Sequence, residues 1–190
     1  MNRLLMFALV SVGLAACAPP EPAPVSEQAP PPPSSAVTQS LQAPYTAVKG
    51  YLIKSAEQAP ENVYAFRPTP EVRTFGQVIG HIADANYMFC GTASGEAGPS
   101  GSVEQTATTK ADLQKALADS FAFCDRAFAG VNDATGAAEA TIVPINNMKT
   151  TKLGALSFAT SHQFEHYGNL VTYMRLNKMV PPSSQPAAGM

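Results

Sequence analysis

Three histidines are the residues of this sequence whose types and spacing are best suited to chemistry. His162 and His166 lie four positions apart in a segment with helical periodicity, so both side chains project from one face, with Cβ atoms about 5–6 Å apart. Two imidazoles at that spacing can bind one metal ion. His81 lies in another predicted helix, one position from the apolar stripe and therefore at the rim of the buried face. The pattern indicates one divalent-metal site between two helices.

Core histidines are the competing interpretation, because an H-x-x-x-H spacing also occurs by chance. Each buried imidazole would then need its own hydrogen-bond partner, and few carboxylates lie nearby in the sequence. One metal ion would satisfy all three rings together. We expect Zn, Ni, Fe or Mn, and the residue types do not choose among these ions.

A general base is harder to identify than the ligands. Asp84 follows His81 by three residues, so we consider it as a base or as a hydrogen-bond acceptor for a ligand histidine. A solvent-exposed helix carboxylate is the alternative for Asp84. Glu165 lies between the two histidines of the pair but is rotated away from their face, so a surface role is expected there.

Four amphipathic helices must position these side chains. Hydrophobic residues recur at helical spacing from about residue 44 to residue 177, which predicts an all-α fold with a four-helix bundle as the default. Thr69 and Pro70 form a typical helix start, as do Thr109 and Asp112. The predicted helices run from near Pro44 to Ala59, from Thr69 to the Gly-rich 91–101 stretch, from Thr109 to about residue 129, and from Lys152 to Asn177. An irregular segment with a short extended piece, Thr141–Ile145, separates the last two.

The N-terminus has the pattern of a secretory signal. An apolar run from Leu4 to Ala16 follows a basic start and is shorter than a membrane span. Its last residues, LAAC, resemble the lipobox of bacterial lipoproteins, in which the cysteine, here Cys17, is lipidated and becomes the mature N-terminus. An ordinary signal with a chance cysteine is the alternative. We expect an envelope location with a lipid anchor, facing the periplasm, and the outer membrane rather than the inner one because Ala18 follows Cys17.

Composition completes the domain organisation. Residues 18–44 contain nine of the 17 prolines, which predicts an extended tether rather than a packed segment. The expected organisation is a signal peptide at 1–16, a lipidated cysteine and tether at 17–43, the bundle at 44–182 and a disordered tail at 183–190. A net charge of −2 argues against a nucleic-acid partner.

Two segments carry a family resemblance. Residues 64–84, YAFRPTPEVRTFGQVIGHIAD, and residues 162–170, HQFEHYGNL, resemble the DinB-like (damage-inducible, YfiT-related) superfamily. The similarity covers roughly residues 40–182 and includes YMRLN at 173–177 and VPPSS at 180–184. The resemblance implies a bundle with up-down-down-up topology and suggests a homodimer. It also implies that His81, His162 and His166 bind one divalent ion.

The resemblance also bears on the remaining cysteines, Cys90 and Cys124. In the family topology the second and third helices are parallel, and each cysteine lies toward the C-terminal end of its helix. The resemblance therefore implies similar heights and a distance that a disulfide can bridge. Two buried free cysteines are the alternative.

The sequence predicts the function of this protein as a broad class. Some relatives in the resembled family are thiol-dependent transferases or isomerases, but the signal and tether differ from that mostly cytoplasmic pattern. We expect a metal-binding envelope lipoprotein that acts as a metal-dependent hydrolase or transferase on an unidentified small molecule. The alternative is a non-catalytic metal- or ligand-binding module anchored to the membrane.

Overall fold

The computed structural model describes residues 35–186, and four long helices dominate this part of the chain. Short helices and one hairpin connect them. In chain order the elements are α1 (Ala36–Gln58), α2 (Glu61–Tyr64), α3 (Phe75–Ser94), α4 (Val103–Thr106), α5 (Lys110–Ala129), α6 (Asp133–Gly136), β1 (Glu139–Ile142), β2 (Met148–Thr151), α7 (Lys152–Leu176) and a 3₁₀ turn at Pro182–Ser184.

The long helices form a four-helix bundle with up-down-down-up topology. Asn86 contacts Ser120, four residues before the disulfide at Cys90 and Cys124, so α3 and α5 are parallel. The Tyr45 hydroxyl donates to Asp125 near the end of α5, which makes α1 antiparallel to α5.

The fourth long helix, α7, is antiparallel to α3 and packs against α1. Phe89 near the end of α3 contacts Phe158 early in α7, so these two helices are antiparallel. Tyr51 in α1 stacks on Tyr167 in α7. The core lies between the four helices, with its largest fully buried side chains drawn from all of them and from β1.

The first helix begins earlier than the sequence predicted. It starts at Ala36, inside the expected tether, and Pro44 lies within it although a proline removes one helical hydrogen bond. The Asp133 carboxylate explains the early start, because it accepts hydrogen bonds from the backbone N–H groups of Val37 and Thr38, at 3.1 and 2.8 Å. These are first-turn donors that have no partner inside a helix.

The start of α3 was also predicted wrongly. Its N-cap is Thr74, not Thr69, because Thr74 and Gln77 form a reciprocal capping box. The Thr74 hydroxyl accepts from the Gln77 N–H at 3.2 Å, and the Gln77 amide oxygen accepts from the Thr74 N–H at 2.9 Å. This box satisfies two free N–H groups, whereas a proline at the first helical position only avoids one.

The ends of α5 and α7 agree closely with the prediction. Thr109 caps α5 by accepting from the Asp112 N–H, and Thr151 caps α7 by accepting from the Gly154 N–H. The predicted extended piece at 141–145 overlaps β1 only at Thr141 and Ile142, because residues 143–147 form the turn of an antiparallel hairpin in which β1 pairs with β2.

The C-terminal end of the described chain is ordered beyond the predicted boundary at residue 182. Ser183 accepts from the Tyr167 hydroxyl and donates its backbone N–H back to it, at 2.7 and 2.8 Å. The predicted signal peptide, Cys17 and most of the tether lie outside the described residues. Within residues 35–186, no helix combines the length and hydrophobicity needed to span a membrane.

Cys90 and Cys124 form a disulfide in the structure, so of the two alternatives the bridged one is present. Their Cα atoms are 5.2 Å apart and both residues are fully buried. The bridge joins α3 to α5. It closes a loop that contains the whole crossover between these two helices.

Removing the disulfide should lower the stability of the bundle. For a sequence separation of 34 residues, loop-closure entropy predicts a loss of about 3–4 kcal/mol in the free energy of unfolding for the double variant Cys90→Ala/Cys124→Ala. Denaturant unfolding with and without reductant measures this loss. The wild-type protein should become less stable in reductant, whereas the double variant should not respond. Equal stability of both proteins under oxidising conditions would contradict the prediction.

Candidate metal centre

The three histidines meet at the contact between α3 and α7. Each offers one ring nitrogen, and these nitrogens all lie within 4.8 Å of one another. The ring centroids of His162 and His166 are 4.4 Å apart, and those of His81 and His166 are 4.7 Å apart. The helical spacing brings the pair together, and the antiparallel packing of α3 on α7 adds the third ring.

The distance between the paired rings fits a shared metal ion. The Nε2 atoms of His162 and His166 face each other at 3.1 Å. Two imidazole nitrogens that each lie about 2.1 Å from one ion, at roughly a right angle, stand about 3 Å apart. Three convergent imidazole nitrogens are also a donor set that transition metals accept. The residues present therefore fit a divalent ion.

Burial keeps these rings neutral. Desolvation, with a smaller effect from neighbouring positive charge, lowers the pKa of His162 and of His166 to about 4. Burial lowers the pKa of His81 as well, with Arg73 adding to the effect and Glu104 opposing it. A neutral imidazole has a free lone pair on one ring nitrogen, which is the form that binds metal.

Glu104 orients His81 from outside the cluster. Its Oε2 lies 3.2 Å from His81 Nδ1, which places the Nδ1 proton on the glutamate side and leaves the Nε2 lone pair free. Its Oε1 accepts a hydrogen bond from Arg73 Nε at 2.8 Å. The carboxylate is thus held on both sides. Sequence reasoning missed Glu104, because no local spacing connects the crossover segment to a histidine of α3.

Asp84 has a different role from the one predicted. It is not part of the histidine cluster; its carboxylate instead accepts hydrogen bonds from Ser102 Oγ at 2.7 Å and from the backbone N–H groups of Val103 and Glu104 at 2.7 and 3.1 Å. It thereby holds the first turn of α4 against α3. Its contribution to the site is indirect, because that turn carries Glu104.

Gly80 allows α4 to lie this close to α3. A Cβ atom at position 80 would lie 2.7 Å from Glu104 Cα and 2.9 Å from Glu104 N, closer than packed atoms approach. The contact is with backbone, which cannot rotate away as a side chain would. Gly80 and Asp84, one helical turn apart on α3, together fix the position of Glu104.

Asn169 and Tyr167, two further polar residues of α7 near the cluster, have separate roles. The side-chain Nδ2 of Asn169 lies 3.2 Å from His166 Nδ1, so this amide contacts the histidine ring directly. Tyr167 instead stacks on Tyr51, with ring centroids 5.0 Å apart. Tyr167 is therefore a packing residue. Glu165 is exposed, as expected.

The surroundings of the cluster differ on its two sides. His162 packs edge-on against Phe89, which is buried and in turn contacts Phe158. On the other side, a cleft of about 600 Å³ reaches His166 and Glu104 from the surface. The cluster therefore reaches a surface cleft at His166 and packs against a buried aromatic ring at His162.

Adding a methyl group at position 80 should destabilise the protein by displacing α4. We expect Gly80→Ala to lower the free energy of unfolding by about 1–3 kcal/mol, the usual cost of overpacking a tight contact. The control is Gly168→Ala on α7, where a Cβ meets nothing within 4 Å. Because alanine favours a helix over glycine, that change should stabilise by up to about 1 kcal/mol. Equal effects in denaturant unfolding would show that the close approach of α4 is unimportant.

Comparison with known proteins agrees with this fold. The sequence model of the DinB superfamily matches residues 45–170. A DinB-like protein from Bacillus subtilis has a similar structure, with a TM-score of 0.60 at 18% identity over 78% of this chain and 99% of that one. A mutant of the mycothiol-dependent maleylpyruvate isomerase is similar with a TM-score of 0.58 at 12% identity, over 70% of this chain and 60% of that one. No curated protein matches the sequence.

The two structural similarities concern the fold alone, since both identities are low. The family match is broader evidence, because it spans more than half of the chain and includes the segments that carry all three histidines. This protein belongs to the DinB superfamily.

Proposed function

We propose that this protein is a divalent-metal-binding DinB-like lipoprotein of the cell envelope, with His81, His162 and His166 as the metal ligands. The convergence of three ring nitrogens within 4.8 Å is the observation that carries the proposal. Glu104 supports it, because a carboxylate partner at His81 Nδ1 leaves the Nε2 lone pair of that ring free to bind the ion.

We further propose that the site is catalytic, in a metal-dependent hydrolase or transferase. Three protein ligands leave coordination positions open, which is typical of catalytic rather than structural sites. A bound ion would supply Lewis-acid activation of a substrate oxygen or a water of lowered pKa. The cleft that reaches His166 gives a small molecule access to that position.

A non-catalytic metal- or ligand-binding module is the second candidate. The observation in its favour is that both acids near the cluster are already engaged. Asp84 caps α4, and Glu104 is held between His81 and Arg73, so neither is placed to take a proton from a substrate. Turnover of small esters, amides or activated electrophiles by the metal-loaded protein would separate the two candidates.

The thiol-dependent activity in the name of one structural neighbour is not part of the proposal. The lipobox and tether indicate export, whereas low-molecular-weight thiol cofactors are cytoplasmic. We therefore propose a reaction that needs no such thiol.

The ligand assignment predicts the metal content of single variants. The wild-type protein should bind one equivalent of divalent metal, and His81→Ala, His162→Ala and His166→Ala should each lose most of it. The matched control is Glu165→Ala, an exposed change between the two histidines of α7, which should keep the wild-type content. Elemental analysis after dialysis against the metal gives the stoichiometry.

Thermal melts provide a second measure of the same site. Because the ion joins α3 to α7, added metal should raise the melting temperature of the wild-type protein and chelator should lower it without unfolding the apolar core. The three histidine variants should not respond. Equal metal content in all proteins, or a wild-type melt that ignores both metal and chelator, would identify the three residues as core histidines.

Anchoring is a separate prediction about the N-terminus. We propose that the precursor is cut before Cys17, that Cys17 is lipidated, and that the bundle faces the periplasm from the outer membrane. Several acyl chains on one residue hold a protein firmly on a bilayer. Mass spectrometry of the membrane fraction should detect a lipidated N-terminal Cys17 peptide, and Cys17→Ser should abolish it. A soluble protein with an uncut leader would contradict the proposal.

A further inference from the structure

The cleft beside the histidine cluster has the size and position of a small-molecule site. Its volume of about 600 Å³ falls in the range of about 300–1,000 Å³ that is usual for ligand pockets. It lies between the segment that precedes α3 and the C-terminal half of α7. His166 and Glu104, which belong to or contact the histidine cluster, line it together with Arg73 and Thr172.

Arg73 has hydrogen-bond donors that the protein does not use. Its Nε donates to Glu104, but within residues 35–186 neither Nη nitrogen has a hydrogen-bond partner. The side chain is 43% exposed, and it lines the cleft. The backbone at this position is held as well, because the Tyr173 hydroxyl donates to the Arg73 carbonyl at 2.9 Å. A guanidinium held at Nε and free at both Nη atoms is suited to binding an oxyanion through two parallel hydrogen bonds.

The charges that line the cleft favour a carboxylate over a phosphate. Arg73 is the one cationic side chain among its lining residues, and Glu71 and Glu104 line it too. A phosphate dianion on Arg73 would place two negative charges near Glu71 and Glu104, whereas a dicarboxylate places one there and directs the other toward the histidine cluster. A carboxylate brings one charge and matches the same two donors.

We infer that this cleft binds a small carboxylate-bearing molecule, with its carboxylate on the Nη atoms of Arg73 and a second polar group directed at the histidine cluster. The inference rests on the proposed function, because the second group would approach the metal ion held there. It extends that function by naming the chemical class of the substrate. It also gives Arg73 a binding role in addition to its contact with Glu104.

Calorimetric titration of the metal-loaded protein with succinate and glutarate tests the inference. Both dicarboxylates should bind, and the neutral ester dimethyl glutarate should not. Arg73→Gln should weaken the binding at least about tenfold, the loss expected for hydrogen bonds to a charged group. The matched control is Arg126→Gln. It removes an exposed arginine of α5 that pairs with Glu96, and it should leave the affinity for the dicarboxylates unchanged.

The metal content of every variant is measured alongside the titration, so that loss of the ion is separated from loss of the carboxylate contact. Three results obtained with loaded proteins would overturn the inference: no binding to the wild type, equal binding to Arg73→Gln and wild type, or tighter binding of inorganic phosphate than of either dicarboxylate. A wild-type protein that takes up no metal would overturn the proposed function, and the cleft assignment with it.

Discussion

The register of α3 against α7 is the constraint on which the candidate site depends. One buried hydrogen bond specifies it, because the Gln163 side-chain amide donates to Asn86 Oδ1 at 2.8 Å, and Asn86 donates to Ser120 of α5 at 3.0 Å. A slip of one turn along either helix would break this network and separate His81 from the α7 pair. Gln163 Oε1 has no hydrogen-bond partner within residues 35–186, and turning the amide would break the bond to Asn86 by placing two acceptor oxygens against each other. An unmade hydrogen bond of this kind costs about 1–3 kcal/mol, so the network contributes to a unique register more than to stability.

Local signals predicted the parts of the fold that depend on local contacts. The caps at Thr109 and Thr151 act within one helical turn, and the α5 boundary and the α7 start could therefore be predicted from the sequence. The start of α1 could not, because the Asp133 carboxylate that satisfies its first turn lies 95 residues from Thr38 along the chain. Two local patterns indicated a start for α3: Thr69 followed by Pro70, and the capping box of Thr74 with Gln77. The helix begins at the capping box.

The same distinction applies to the site. The spacing of His162 and His166 is a property of one helix, so the sequence alone placed both rings on one face. Asp84 was considered for its closeness to His81 along the chain, yet it faces α4 rather than the cluster. Glu104 reaches His81 only because the crossover between the parallel helices α3 and α5 folds back over α3 at Gly80. Neither the path of that crossover nor the side chain it delivers follows from periodicity or spacing.

The two sides of the histidine cluster determine how a ligand would approach it. On one side Phe89 packs edge-on against His162, and the burial of this ring lowers its pKa. On the other side the rings end at a cleft with Arg73 at its wall. Since Arg73 and His81 bind opposite sides of the same Glu104 carboxylate, a change at the arginine is transmitted to the orientation of a ligand imidazole. Arg73, Glu104 and His81 therefore form one hydrogen-bonded unit, and under the proposed function an anion bound by Arg73 would affect the geometry of the candidate metal site through Glu104.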